Sequence, residues 1–261
     1  MQYIALIYEH AGGVENLSEA DHQVLIDQHN ELIRQAKEAQ VYLGASELKP
    51  AASASSVRIR NGTPVVTDGP FAEAKELFVG FYLFDCPDLD AALHWASMIP
   101  TASNSGVEVR PLDDPNCGAG APVEAIAVDS DKSLYALLNY LDEGLLEAYS
   151  EEDTQQLIAE NTAMANHARA AGEYISGGKL MPPATATTIS HAEGKQQILD
   201  GPFAEAKEVL LGFHMVAGDS IGKAIDYAKR IPDARAGVVE VRPVQFHEQV
   251  GEQAIQWNSS E

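Results

Sequence analysis

The chain has 261 residues and a formal net charge of −22, from 39 acidic and 17 basic residues. Nucleic acids and anionic membrane surfaces are bound through basic faces, so this charge argues against both as partners. Hydrophobic residues make up 45% of the sequence, as in globular proteins. No apolar run approaches the ~20 residues of a membrane-spanning helix, and the N-terminus lacks the basic start of a signal peptide. We therefore expect a cytoplasmic protein.

The first 112 residues alternate between strand and helix signals. In chain order they predict a strand at 2–8, a helix capped by Ser18, strands at 41–48, 57–60, 64–67 and 78–84, a helix capped by Asp88, and a strand at 107–110. One face of the first helix carries apolar residues at helical spacing: Leu25, Leu32, Ile33, Ala36 and Ala39. Asn61-Gly62 is a strong hairpin signal between the third and fourth strands.

A nine-residue sequence, DGPFAEAKE, occurs at 68–76 and again at 200–208, an offset of 132 residues. The same offset aligns Gly80-Phe81 with Gly212-Phe213, and Val-Glu-Val-Arg-Pro at 107–111 with 239–243. One register over this length indicates a tandem duplication. We predict one domain at 1–112, a linker at 113–132 that can add a short strand at 124–128, a second domain at 133–244, and a polar tail at 245–261 carrying Trp257.

Each repeat predicts a βαββαβ unit with an inserted hairpin, which is a ferredoxin-like α+β fold. A single unit leaves one face of its sheet uncovered, and two copies in one chain can cover each other. Within the repeated motif, Asp-Gly-Pro-Phe supplies turn chemistry, with glycine free to take positive φ. Phe71 would hold this turn against a core, and the charged run Glu73, Lys75 and Glu76 follows. A well-made turn with a solvated segment remains the alternative to a functional role.

The motif, with the Gly-Phe that follows it and the closing Val-Glu-Val-Arg-Pro, resembles the DGPF branch of the YCII-related proteins over nearly all of both halves. The resemblance implies that two ferredoxin-like repeats pair as a dimeric α+β barrel within one chain, a pseudo-dimer that could also form a homo-oligomer. It implies an association with extracytoplasmic-function sigma factors, and a proposed His–Asp active site. His29 looks like the family histidine, and we infer that Asp68 is its partner.

The candidate catalytic residues are therefore His29 and Asp68. The candidate ligand-binding residues are Arg58, Glu76, Asp200 and Glu208. At the offset of 132, His29 is replaced by Asn161 and Arg58 by Ser190, so such a site would exist in one half only. His167 and His214 occur only in the second half, where they could rebuild a different site or be drift. The structural alternatives are a surface histidine, an exposed strand pair, and an ion pair of Arg110 with Glu108 or Glu76.

We expect neither a metal nor another cofactor. His22 and His29 are seven residues apart, or roughly 10 Å along a helix, too far to share an ion without other ligands. Cys86 and Cys117 form no CxxC pair, which argues against a zinc site or a disulfide framework. The sequence contains neither a nucleotide-binding loop nor a nucleophile elbow.

Two functions follow from these residues. The first is binding of a small organic molecule in the first half, with cofactor-free acid–base chemistry by His29 and with the second half as a scaffold. The second is a non-catalytic regulatory module that contacts a sigma factor through its acidic surface. The two hypotheses predict different partners, a metabolite and a basic protein.

Overall fold

The computed structural model describes residues 1–10, 17–71, 76–101, 105–114, 132–146, 148–192, 195–203, 207–249 and 255–256. The strand expected at 124–128, and Glu73, Lys75, Cys117 and Trp257, lie outside these ranges.

Both halves contain the predicted order of elements. The first half consists of β1 (Gln2–His10), α1 (Glu19–Glu38), β2 (Tyr42–Leu48), β3 (Ser55–Arg60), β4 (Thr63–Asp68), β5 (Glu76–Asp85), α2 (Leu89–Ala96) and β6 (Gly106–Asp114). The second half consists of β7 (Ser133–Asp142), α3 (Glu143–Leu146), α4 (Glu151–Ala170), β8 (Tyr174–Leu180), β9 (Thr187–Ala192), β10 (Lys195–Asp200), β11 (Glu208–Gly218), α5 (Ile221–Ala228), α6 (Asp233–Ala236), β12 (Val238–Gln249) and β13 (Ile255–Gln256).

The helices begin where the sequence predicts. The Ser18 hydroxyl accepts a hydrogen bond from the backbone N–H of Asp21 at 3.2 Å, and the Asp88 carboxylate accepts one from Ala91 at 2.9 Å. Most of the predicted apolar face of α1 is buried, but Ala39 is exposed because α1 ends at Glu38. No helix in the described part of the chain is long and apolar enough to cross a membrane.

The two halves form one closed ring of eight antiparallel strands. The first half is ordered β6-β1-β5-β2 and the second β12-β7-β11-β8, which is the ferredoxin-like order in both. β2 pairs with β12, where Leu48 lies opposite Val244, and β6 pairs with β8, where Leu112 lies opposite Leu180. These two junctions close the ring. The predicted dimeric α+β barrel within one chain is confirmed.

One strand differs from its prediction. The sequence predicts a final strand at 238–242 and a tail from 245, whereas β12 continues through Gln249. Its first part pairs with β7, and beyond Pro243 it pairs with β2, with His247 opposite Ser46. The extension is stabilised by pairing with β2 of the first half. The sequence of one repeat does not reveal this pairing, because the partner strand lies in the other repeat.

The core has three layers. Side chains from both halves fill the interior of the ring, where Phe81 and Phe213 lie 4.9 Å apart between ring centres. The helices pack on the outside, α1 and α2 over the first half and α4 and α5 over the second. Burial of these apolar surfaces is the main favourable contribution to folding.

The hairpins are exchanged between the halves. The hairpin β3–β4 of the first half pairs with β12, placing Val57 opposite Val239. The hairpin β9–β10 of the second half pairs with β6, placing Ile189 opposite Val107. Val57 is buried between sheet and helices of the second half, and Ile189 is buried between sheet and helices of the first half. Each half therefore completes its sheet with a segment of the other.

The DGPF turns, residues 68–71 and 200–203, come directly after these hairpins and, like them, pack on the opposite half. Gly69 and Gly201 have φ of 90° and 102°, which confirms the predicted need for glycine. Phe71 packs on Tyr140 of the second half with ring centres 4.5 Å apart, and Phe203 stacks on Tyr8 of the first half at 5.8 Å. The phenylalanine thus anchors its turn as predicted, but on the opposite half.

Each DGPF turn also contacts a buried ion pair of the opposite half. The backbone N–H of Phe203 donates to Glu108 at 2.9 Å, and Arg110 Nε lies 2.6 Å from the same carboxylate. In the second half, Arg242 Nε donates to Glu240 at 3.1 Å, and the N–H of Phe71 lies 3.4 Å from that carboxylate. Of the two predicted partners of Arg110, Glu108 is correct.

We predict that Glu108→Ala and Glu240→Ala each lower the free energy of unfolding by about 3–5 kcal/mol, because each leaves a buried arginine unpaired. Both carboxylates are at most 2% exposed. Urea unfolding followed by circular dichroism measures the loss. The control is Glu31→Ala, which breaks an exposed pair with Arg34 and should cost far less stability, because water screens that pair. A loss as small in either buried variant as in the control would contradict this role.

Candidate functional site

His29 contacts a tyrosine rather than an acid. Its Nδ1 lies 2.7 Å from the hydroxyl of Tyr82 on β5, and the two rings stack with centres 5.9 Å apart. Burial lowers the pKa of His29 to about 4, so the ring is neutral at pH 7. A neutral imidazole can still accept or donate a hydrogen bond at this position.

The expected contact between His29 and Asp68 is not formed. Asp68 is exposed at the end of β4, opposite Ser55, in the hairpin that lies on the second half. His29 lies on α1 over the first half. The exchange of hairpins separates the two residues, because the motif leaves the half in which it is encoded. Catalytic roles for His29 and Asp68 remain a prediction.

The candidate ligand-binding residues are distributed over several places. Arg58 Nη1 lies 3.0 Å from the Glu208 carboxylate and 3.1 Å from the carbonyl oxygen of Gly237, so two of them form an ion pair between the halves. Glu76 lies 3.9 Å from His10 Nδ1 at the start of β5. Asp200 is exposed at the end of β10. The structure does not bring the four into one site.

A hydrogen-bonded cluster lies instead at the equivalent place in the second half. Asn161 on α4 occupies the position of His29, and His214 on β11 occupies that of Tyr82. The amide Nδ2 of Asn161 donates to the Leu157 carbonyl oxygen at 3.1 Å and to Asp233 Oδ2 at 3.2 Å. Its Oδ1 lies 3.2 Å from His214 Nε2. The histidine of this pair of positions lies on the helix in the first repeat, as His29, and on the strand in the second, as His214.

These contacts fix the tautomer of His214. Because Asn161 Oδ1 can only accept, His214 Nε2 carries the proton and donates it. Nδ1 is then an acceptor, and the hydroxyl of Tyr174 lies 3.3 Å from it. His214 is 1% exposed, and burial, with a smaller effect of the Arg169 charge, lowers its pKa to about 3. The ring is a neutral positioning group for Asn161.

Asp233 is the carboxyl group of this cluster. It is 7% exposed, and its Oδ2 accepts from Asn161 and, at 3.2 Å, from Asn139 Nδ2. Burial raises the pKa of Asp233, and the hydrogen bond from Asn161 partly opposes this. Asn139 is 5% exposed, and its Oδ1 has no hydrogen-bond partner among the described residues.

A cleft of about 130 Å³ opens onto these groups. Its apolar lining comes from Tyr149, Leu157, Ile158 and Leu211, and its polar lining includes Asn139, Asn161, His214 and Asp233. An apolar cavity of about 150 Å³ admits benzene, so the cleft suits a molecule of about one ring. Pockets that bind small molecules combine such apolar walls with a few convergent polar groups.

The cluster has no counterpart in the first half. At the offset of 132, Asp233 corresponds to Thr101 and Asn139 to Ile7. Sequence reasoning noted His214 and Asn161 but did not connect them, and it missed Asp233 and Asn139. The available signal was a difference between the repeats: Asn139 stands where the other repeat has the aliphatic Ile7, and Asp233 stands where it has the uncharged Thr101.

The described residues contain no group of three or more His, Cys, Asp or Glu side chains that could hold a metal ion. The chemistry that this cleft can perform with its own residues is hydrogen bonding and proton exchange. Asp233 is the residue suited to proton exchange, since burial moves its pKa toward neutral pH.

We predict that His214→Tyr, which copies the first half, makes the protein less sensitive to acid. An unfolded histidine binds a proton below pH ~6.5, whereas folded His214 does so only near 3. Stability is therefore lost as the pH falls below 6.5, by about 2 kcal/mol at pH 5 for this group.

The measurement is urea unfolding at pH 7.5 and 5. The difference between the two free energies should be about 2 kcal/mol smaller in His214→Tyr than in the wild type. Met215→Leu, a neighbouring buried change without a titrating group, should leave the difference unaltered. Equal differences in all three proteins would show that His214 is not buried as a neutral ring.

Each half of the chain matches a known domain family. A profile of the YCII-related domain matches residues 1–114 and 133–247. "Uncharacterized protein R00369" of Rhizobium meliloti (strain 1021) is 35% identical over 116 residues, which are 44% of this chain and 94% of that protein.

Two solved structures resemble the chain at low identity. A variant of chlorite dismutase from Candidatus Nitrospira defluvii is 9% identical, with a TM-score of 0.42, 93% of this chain covered and 90% of the other. A putative monooxygenase from Fusobacterium nucleatum is 9% identical, with a TM-score of 0.40 and 98% of each chain covered. The two domain matches span both halves, and the chain belongs to the YCII-related family.

Proposed function

We propose that the protein binds a small organic molecule in the cleft of the second half, and that Asp233 exchanges a proton with it. The observation that carries this proposal is the pair of buried polar groups at the cleft, the Asp233 carboxyl and Oδ1 of Asn139, which has no hydrogen-bond partner among the described residues. Burying such groups costs free energy unless they find partners.

The fold itself does not require these residues. The first half forms the equivalents of β7–β12, α4 and α5 with Ile7 and Thr101 at the two positions. A structural role would be expected to recur in both copies, as Glu108 and Glu240 do. A ligand that completes the hydrogen bonds of Asn139 and Asp233 supplies a reason for their presence.

Asp233 suits proton transfer because its carboxyl is buried beside the cleft. General acids and bases work best when their pKa lies near the ambient pH, and burial moves Asp233 in that direction. Asn161 and His214 hold the carboxyl in place and do not themselves need to titrate. This assignment places acid–base chemistry in the second half, whereas the sequence favoured His29 in the first.

The regulatory alternative rests on the family resemblance and on the net charge of −22. A basic sigma factor could be attracted by that charge, but attraction of this kind does not select one surface. The cleft is a defined site with apolar walls and buried polar groups. It favours the small-molecule function over the regulatory one.

The test is titration with the single-ring probes benzamide, benzamidine and benzoate, each followed by ¹H–¹⁵N correlation spectra. We expect at least one probe to shift the amide signals of Gly178 and Gly212, which line the cleft, more than those of Ser46 and Gly80 at the same places in the first half. The paired positions provide a reference within the same molecule.

Ile158→Trp is the blocking variant. Ile158 lines the cleft and is 39% exposed, so a larger ring can fill the opening without disturbing the core. It should abolish the shifts at Gly178 and Gly212 while leaving the melting temperature near that of the wild type. No shift with any probe, or equal shifts in both halves, would reject the cleft as the binding site.

A further inference from the structure

Asp233 forms no ion pair with any described residue. The positive charge of Arg235, on the same helix, acts on the Asp233 carboxyl and opposes the rise of its pKa, but the Arg235 guanidinium itself is bonded to Glu160. The other charged or titratable side chains around the cleft are Tyr149, Lys179 on β8 and His214 on β11. Lys179 is paired with Asp113, and His214 is neutral. A charged group buried in a protein is normally paired with an opposite charge or bound to a metal ion.

The second observation is the orphan acceptor beside it. Asn139 donates its amide N–H to Asp233 Oδ2, which leaves Oδ1 of the same amide buried and without a donor among the described residues. The carboxyl of Asp233 and the carbonyl of Asn139 are thus two adjoining acceptors on one cleft. A head group with several N–H donors and a positive charge would satisfy both.

The rest of the cleft agrees with such a ligand. Leu157, Ile158 and Leu211 offer contact to an apolar body, and Tyr149 adds an aromatic ring of the kind that attracts cations. The net charge of −22 raises the concentration of cations near the surface and lowers that of anions. An anionic ligand would meet the Asp233 carboxyl group in the cleft.

We propose that the ligand of this cleft is a small organic cation, an amidinium, guanidinium or primary ammonium on an apolar body of about one ring, bound through Asp233 and Asn139. This proposal rests on the proposed function and specifies its ligand class. The cationic head donates to the Asp233 carboxylate and to Asn139 Oδ1, and the body lies between Tyr149 and Leu157.

The test uses probes of one shape and different charge: benzamidine, benzamide and benzoate, titrated by calorimetry at pH 7.5. We expect benzamidine to bind at least about tenfold more tightly than benzamide, and benzoate not to bind measurably. Asp233→Asn should weaken benzamidine by about tenfold or more and change benzamide by less than about threefold, since a charged hydrogen bond is lost only with the first probe.

The matched control is Asp226→Asn, which removes one exposed acid of α5 that pairs with Lys229. It alters the net charge as Asp233→Asn does, and it should leave benzamidine binding within about twofold of the wild type. Equal weakening by the two variants would mean attraction by the overall charge rather than by a site, and would overturn the proposal.

A second measurement does not depend on the folding of the Asp233 variant. In the wild type, benzamidine binding should weaken as the pH falls, by up to tenfold per pH unit once Asp233 is protonated, while benzamide binding should not follow this course. If benzamide or benzoate binds best and shifts the amide signals of the cleft, the proposal of a cationic ligand is wrong, but the cleft remains a binding site. If no probe shifts them, the proposed function fails as well.

Discussion

The structure depends on burying two glutamates inside a closed ring of strands. A carboxylate at the position of Glu108 or Glu240 needs a positive partner and further donors, because an apolar interior solvates a charge poorly. The arginine two residues later supplies the charge. The phenylalanine N–H of the opposite DGPF turn lies against the carboxylate as well, so one contact of each ion pair is contributed by the other half.

This arrangement explains why the motif is repeated without change while much of the chain has diverged. The turn must place a backbone N–H on a buried carboxylate and a ring on the tyrosine beside it, and glycine must permit the positive φ that brings them there. The described side chains on the outer side of the ring do not contact these buried carboxylates, so their identity is less constrained. The cleft under α4 and the equivalent place under α1 lie on that outer side, where His214 and Tyr82 can differ without disturbing the interior.

Much of the fold could be predicted because the relevant signals are local. The caps Ser18 and Asp88, the Asn61-Gly62 turn and the apolar alternation each concern a few adjacent residues, and the offset of 132 extends them to the second half. The exchange of the hairpins could not be found this way, because it is a relation between distant segments. The expected contact of His29 with Asp68 failed for the same reason, since it assumed that each motif stays in its own half. Asp233 belongs to no motif and is visible only when one repeat is compared with the other.

The covalent link between the halves has a consequence for how such a protein can change. In a dimer of identical subunits, a substitution alters both sites at once, so neither can be given up while the other acquires something new. Here one half has Asn139 and Asp233 where the other has Ile7 and Thr101. Joining the two copies in one chain frees the two sites to differ, while both halves still form the same ring of strands.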